Sequence, residues 1–382
     1  MLRLQTKLDV EDFVRGCAFL GTGGGGAPQR GLKLLLEDLE KFGEILIHEP
    51  QSIRDEAYVV TPFGMGSIAP RTPETESRMH ALGLVKRIGI AERRLVHAVI
   101  ELEKYLGIEF EAIVPIELGG SNTPAPVDVA VTLGKTAVDG DYAGRAIPEI
   151  SQTTPYLYNI PPYPSSYVDE YGNKIVVTKA INYLMAERIG KLYSVAVFSP
   201  VGSASFAITG KEMKKIIIPG TLTESYNIGK TLRRAVETGK DPALEVAKSR
   251  DGFVLFKGTV VRKEWEDREG YMWGTTYIRG VEEFEGHDAK IWFKNENHIM
   301  WFDDKVIATS PDIIAVIESH SGDPITNTDI KEGKRVSVVG LKARDQFRTP
   351  RGIEILGPRH FGFNIDYIPI EIRAKEFPLL KP

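Results

Sequence analysis

Apolar residues recur every three or four positions over Asp9–Leu20, where Val10, Phe13, Val14 and Cys17 share one face. The same spacing returns beyond Pro28, through Leu32, Leu35, Leu36 and Leu39. It predicts two helices, the second opened by a proline suited to a first helical turn. Shorter β-branched or apolar runs at Glu44–His48, Ala57–Phe63 and Phe110–Ile116 predict strands. Ala91–Leu106, with Leu95, Val99, Leu102 and Leu106 along one side, predicts a long helix. Alternating strand and helix patterns are the mark of an α/β domain, expected over residues 1–165. Pro155, Pro161, Pro162 and Pro164 then break regular structure and place a boundary or ordered linker there.

Residues 166–382 are expected to form a second domain. Ile175–Thr178 and Leu192–Phe198 read as strands enclosing a helix over Lys179–Ile189, and a longer helix is expected over Thr221–Glu237, with Thr221 or Thr223 as its cap. After Gly252 the pattern changes to short strands: Phe253–Val261, Tyr271–Arg279, Ala289–Lys294, His298–Phe302, Ile313–Ile317 and Arg335–Leu341. Close spacing without helices predicts a β-barrel-like portion over about residues 252–345.

The 382 residues are enough for about two domains with a substantial core. A net charge of −4 gives no reason to expect a nucleic-acid or membrane partner, and a small-molecule substrate is expected instead. No apolar run is long enough to span a bilayer, and the amino terminus lacks the apolar core of a signal peptide. A cytoplasmic protein is the expectation, with homo-oligomerisation left open. The single cysteine excludes an internal disulfide and a cysteine-based zinc site. The seven histidines form neither His-x-His nor His-Glu-x-x-His, so a histidine-rich binuclear hydrolase is not expected. No cofactor is called for, although a divalent metal is left open.

Between the first two helices lies Leu20-Gly21-Thr22-Gly23-Gly24-Gly25-Gly26. Consecutive glycines are entropically costly, and are tolerated where φ must be positive or where a ligand or another chain segment approaches the backbone. The free N–H groups opening the second helix make this place receptive to an anion; a tight helix–helix turn is the plain alternative. A dinucleotide fingerprint needs a strand before the glycines, and here a helix comes first. Gly134-Lys135-Thr136 and Gly229-Lys230-Thr231 are not P-loops, because Val129 and Glu224 stand where the required glycine would be.

The densest polar cluster is Asp139-Gly140-Asp141, followed by Arg145 and Glu149. Paired carboxylates beside a cation can split into a base and an acid, and Asp-Gly-Asp can equally be a turn or a weak metal ligand set. Glu117 and Asn122 follow a predicted strand, at the carboxyl end where ligands gather in open α/β sheets. The nucleophile is left open between water, Cys17 and a serine such as Ser203 or Ser205; no Gly-x-Ser-x-Gly elbow surrounds either serine.

These segments, together with Ile218-Pro219-Gly220-Thr221, Phe293-Lys294-Asn295-Glu296 and Gly357-Pro358-Arg359-His360-Phe361-Gly362, occur in an order that resembles the S-methyl thiohydantoin desulfurase family, long known as the DUF917 domain. The likeness runs from about Val10 to about Tyr367. It implies an amino-terminal α/β domain, a carboxy-terminal domain with a barrel-like portion, and hydrolysis at a hydantoin-like five-membered ring, with methanethiol released from an S-methyl ring; the absence of a P-loop makes ATP-independence the expectation. Family genes accompany hydantoinase and oxoprolinase genes, so a cyclic-amide hydrolase and a non-catalytic accessory subunit are the rival readings. For such chemistry the expected base is Asp139 or Asp141, with Glu117 as a further catalytic carboxylate. Arg145 would anchor a ring oxygen or a substrate carboxylate, Asn122 and Glu149 would also contact substrate, and the backbone of Gly23, Gly24, Gly25 and Gly26 would supply anion-stabilising donors.

Overall fold

The computed structural model describes residues 1–66, 72–85 and 93–380. Thr6 accepts from the backbone of Asp9 and Asp9 reciprocates, a capping box that starts the helix Lys7–Leu20. The glycine run follows directly, and Pro28 opens the next helix, Pro28–Phe42. Both are where the apolar spacing put them. Of the helix expected over Ala91–Leu106, the described part is Arg94–Leu106, which buries Val96, Val99 and Leu102; Ala91 and Glu92 lie outside the described residues.

The first sheet has eight strands, in the order Leu2–Leu4, Ile45–His48, Thr136–Val138, Phe110–Ile113, Tyr58–Met65, Val201–Thr209, Ser165–Val168, Lys174–Val177. The central four pair in parallel, as expected of strands joined through crossover helices. The last three, antiparallel, come from the chain beyond residue 164. The strand expected at Leu192–Phe198 is not one: most of that run belongs to the helix Tyr183–Ala196, which Asn182 caps by accepting from Met185 N–H. Its apolar residues point both into the sheet and outward, which erases the periodicity that separates helix from strand.

The second sheet is a curled antiparallel half-barrel of seven strands: Lys305–Thr309, Glu296–Phe302, Asp288–Lys294, Tyr271–Gly280, Phe253–Arg268, Arg335–Leu341, Ile313–Glu318. The protein is thus a mixed α/β fold with a layered amino-terminal sheet and a β-rich carboxy-terminal part. Phe256, Phe284 and Phe302 pack around one another inside the half-barrel, with ring centroids 5.0–6.2 Å apart. The helix Thr221–Glu237 lies against Lys7–Leu20, and their contact is set by two glycines. A Cβ on Gly16 would fall 1.6 Å from Ser225 O, and one on Gly229 would fall 1.8 Å from Asp12 O. The crossing holds the start of the glycine run against the carboxy-terminal half, where the candidate site forms.

Candidate functional site

The glycine run threads between two walls that leave no space for side chains. A Cβ on Gly24 would lie 2.0 Å from Glu296 Oε1, one on Gly25 2.4 Å from Gly119 Cα, and one on Gly26 2.1 Å from Ser121 Oγ. Gly23, Gly25 and Gly26 also take positive φ of 90°, 73° and 80°, which glycine adopts at no steric cost. Backbone bonds lock the run on both sides. Ser121 and Asn122 N–H donate to Gly25 O, Asn297 N–H to Thr22 O, and Asn327 N–H to Gly23 O. The N–H groups of Gly25, Gly26 and Ala27 have no hydrogen-bond partner among the described residues.

These glycines line a cleft of about 420 Å³ between the two sheets. Glu117, Asn122, Glu149, Glu187, Lys191 and Glu296 also line it. Glu117 follows the strand Phe110–Ile113 and is buried. Its Oε1 accepts from Asn122 Nδ2 at 2.6 Å and its Oε2 from Ile147 N–H at 2.8 Å. Burial outweighs those two bonds and pushes the carboxyl up to about 7. Across the glycines stands Glu296, at the start of its strand. It is buried, and its Oε2 has no partner among the described residues. Burial, then the neighbouring charge of Glu117, push it well above the usual carboxyl range, against the pull of Arg145 and Lys191.

Lys191 and Glu187 come from one face of the helix Tyr183–Ala196, four residues apart. The Lys191 ammonium sits 4.1 Å from the Tyr271 ring centre and donates to Gly270 O at 3.4 Å; burial lowers its pKa. Glu187 accepts from Tyr271 Oη at 3.1 Å and from Ile150 N–H at 2.6 Å, and burial raises it. Glu149 pairs with Lys294 and accepts from His360 Nε2 at 3.0 Å. Burial works to raise Glu149, but the His360 bond and the Lys294 charge prevail and hold it at about 2. It is a carboxylate already partnered.

The structure therefore brings together Gly23, Gly24, Gly25, Gly26, Glu117, Asn122 and Glu149, but not Asp139, Asp141 or Arg145, which do not line the cleft. Asp139 accepts from Leu222 and Thr223 N–H, both at 3.0 Å, and from Thr223 Oγ1 at 2.5 Å. It thereby caps the helix Thr221–Glu237, whose own cap position is Gly220 with no side chain to offer. Neither Thr221 nor Thr223 is the cap. Asp141 folds back on Ala143 and Gly144 N–H at 3.0 and 2.7 Å, and burial pushes it up to about 6. Arg145, also buried, donates to Ala146 O, Pro311 O, Asp312 O, Thr22 Oγ1 and Asn297 O. Its guanidinium rivets the glycine run to the half-barrel.

Cys17 is buried in its helix, and burial pushes its thiol up to about 12. Ser203 and Ser205 are buried in the first sheet with their hydroxyls 3.3 Å apart, outside the cleft. Among the described residues no group of three or more His, Cys, Asp or Glu is arranged to hold a metal ion, and no helix is long and apolar enough to cross a membrane. Sequence reasoning passed over Glu296, Lys191 and Glu187 as chemical groups. The signals were Asn295-Glu296 closing one of the ordered segments, and Glu187 and Lys191 at helical spacing.

A crystal structure of a protein from Chromobacterium violaceum superposes with a TM-score of 0.76 at 19% identity, covering 97% of this chain and all of that one, so it shares the fold. No curated protein matches the chain. The S-Me-THD-like amino-terminal domain matches residues 8–179 and the S-Me-THD-like carboxy-terminal domain matches residues 181–370. The chain belongs to the S-Me-THD-like family, that of the S-methyl thiohydantoin desulfurases.

Proposed function

We propose that this protein hydrolyses an S-methyl thiohydantoin-like ring without ATP, with Glu117 as the general base and Glu296 as its acid partner. The observation that carries the reading is the pair of buried carboxyls facing one cleft across the glycine run, one held by two donors and the other with an oxygen unpartnered among the described residues. A carboxyl near neutrality suits proton abstraction at cellular pH, and a second one kept protonated by burial suits donation. Family membership supports the reaction class.

In this reading water adds to the ring carbon that bears sulfur. Glu117 takes the water proton while Glu296 protonates the ring nitrogen. The carbon–sulfur bond then breaks, the thiolate leaves with the proton held by Glu117, and the new hydroxyl returns its proton to Glu296 as the carbonyl forms. One water is consumed and one thiol released, and both carboxyls end as they began. The N–H groups of Gly25, Gly26 and Ala27 would hold a ring oxygen, in the manner of an oxyanion site.

The test is thiol release and ring opening measured on S-methyl thiohydantoin and on hydantoin, with and without ATP. Thiol released only from the first, independently of ATP, supports the proposal. Ring opening of plain hydantoin would instead indicate a cyclic-amide hydrolase, and binding without turnover an accessory subunit.

A further inference from the structure

Lys191 reaches the cleft from the helix Tyr183–Ala196. Its spacing from Glu187, one turn back on the same helix, is that of an ion pair, yet none forms. Glu187 is already taken: Tyr271 Oη donates to it at 3.1 Å and Ile150 N–H at 2.6 Å. Tyr271 thus occupies the carboxylate with its hydroxyl, and its ring, centred 4.1 Å from the Lys191 nitrogen, supports the ammonium by its π face. Lys294, by contrast, is paired with Glu149.

Among the described residues Lys191 makes no ion pair, and its one hydrogen bond, to Gly270 O, is long at 3.4 Å. An ammonium carries three donors, so the others have no acceptor among the described residues. A charge drawn out of water without a carboxylate beside it costs stability, and the fold gains nothing from keeping it there. The position suits charge that arises on a bound substrate, where a cation held ready in a cleft acts most strongly.

On the hydrolysis proposed above, on which this inference rests, that charge can be identified. Glu117 serves the water, Glu296 the ring nitrogen, and the N–H groups of the glycine run a ring oxygen. The departing sulfur is the remaining atom on which negative charge develops. An alkyl thiol is a weak acid whose anion leaves slowly, and a neighbouring lysine is among the groups that stabilise a thiolate. The Lys191 charge also acts on both Glu117 and Glu296, which places it with the two reacting carboxyls.

We propose that Lys191 is a third catalytic group of the cleft, its ammonium stabilising the thiolate as the carbon–sulfur bond breaks. Lys191 keeps its own proton throughout. The thiolate takes the one held by Glu117, so one water is still consumed and one thiol released.

The test is kcat/KM for thiol release from rings carrying S-methyl, S-ethyl and S-trifluoroethyl groups, in wild type, Lys191→Met and Lys191→Gln. Trifluoroethanethiol is a stronger acid than ethanethiol at nearly the same length, so its anion needs less help to leave. Both variants should be slower by roughly 10²–10³-fold on the S-methyl and S-ethyl rings, and much less slowed on the S-trifluoroethyl ring. Because an unpaired charge is removed, Lys191→Met should also melt no lower than wild type. Equal slowing or complete loss on all three rings would overturn the role of Lys191, as would a variant that melts lower with turnover per folded molecule retained. A wild type that releases thiol from none of the rings removes the proposed hydrolysis itself, and this role with it.

Discussion

Gly24 lies directly against Glu296: a Cβ at position 24 would stand 2.0 Å from Glu296 Oε1. A loop between the first two helices and a residue of the carboxy-terminal half-barrel thus share one wall of the cleft. Gly24→Ala must displace the Glu296 carboxyl, because Gly24 itself has no positive φ that alanine would strain. Overpacking of this kind costs about 1–3 kcal/mol. The variant should melt lower than wild type and lose turnover out of proportion to that loss, read by calorimetry and thiol release on the same preparation.

Asp139 and Arg145 should behave as structural residues. Asp139→Asn weakens the cap on Thr221–Glu237, a loss of about 0.5–2 kcal/mol, with turnover per folded molecule retained. Arg145→Met leaves four carbonyls and the Thr22 hydroxyl without their buried donor and should cost more than about 3 kcal/mol. Urea unfolding measures both. A fully stable but inactive Asp139→Asn would return the base to that position.

Cys17 should be inert. Burial disfavours its thiolate, and a thiol reacts only as thiolate. Ellman's reagent should titrate it only after unfolding, and Cys17→Ala should keep wild-type turnover.

The ionisation of Glu117 gives a stability signature with a definite sign. Its folded-state pKa of about 7 lies above its ordinary value of 4.5. The native state therefore binds more protons than the unfolded state between those values, and stability is lost as pH rises through that window. Glu117→Gln should flatten the slope of unfolding free energy against pH from about 4.5 to about 7. A residual slope should remain from Asp141 and Asp312, both pushed up to about 6 by burial.

Much of this fold was legible in the sequence because a single buried face leaves a clear period. Lys7–Leu20, Thr221–Glu237 and the half-barrel strands read out on that basis. Tyr183–Ala196 did not, since apolar residues on two faces mimic the continuous run of a strand. In the site, Glu117 and Asn122 were legible from their place after a strand, and the glycines from theirs between two helices. Of the pair proposed for acid–base work, Glu117 was among the expected carboxylates and Glu296 was not, whereas Asp139 and Asp141 do not line the cleft. Asp-Gly-Asp looks the same whether its carboxylates meet substrate or backbone N–H, and here they meet backbone. Glu296 reaches the cleft only through long-range packing of the half-barrel against the glycine run, which no local pattern records.

The proposed role of Glu117 as base is tested most directly by the pH profile of kcat/KM for thiol release from an S-methyl thiohydantoin, in wild type and Glu117→Gln. The wild-type rate should rise through a pKa near 7. Glu117→Gln, folded and still binding substrate, should be slower by roughly 10²–10⁴-fold and lack that rise. A Glu117→Gln enzyme with near wild-type rate and an unchanged rising limb would contradict it.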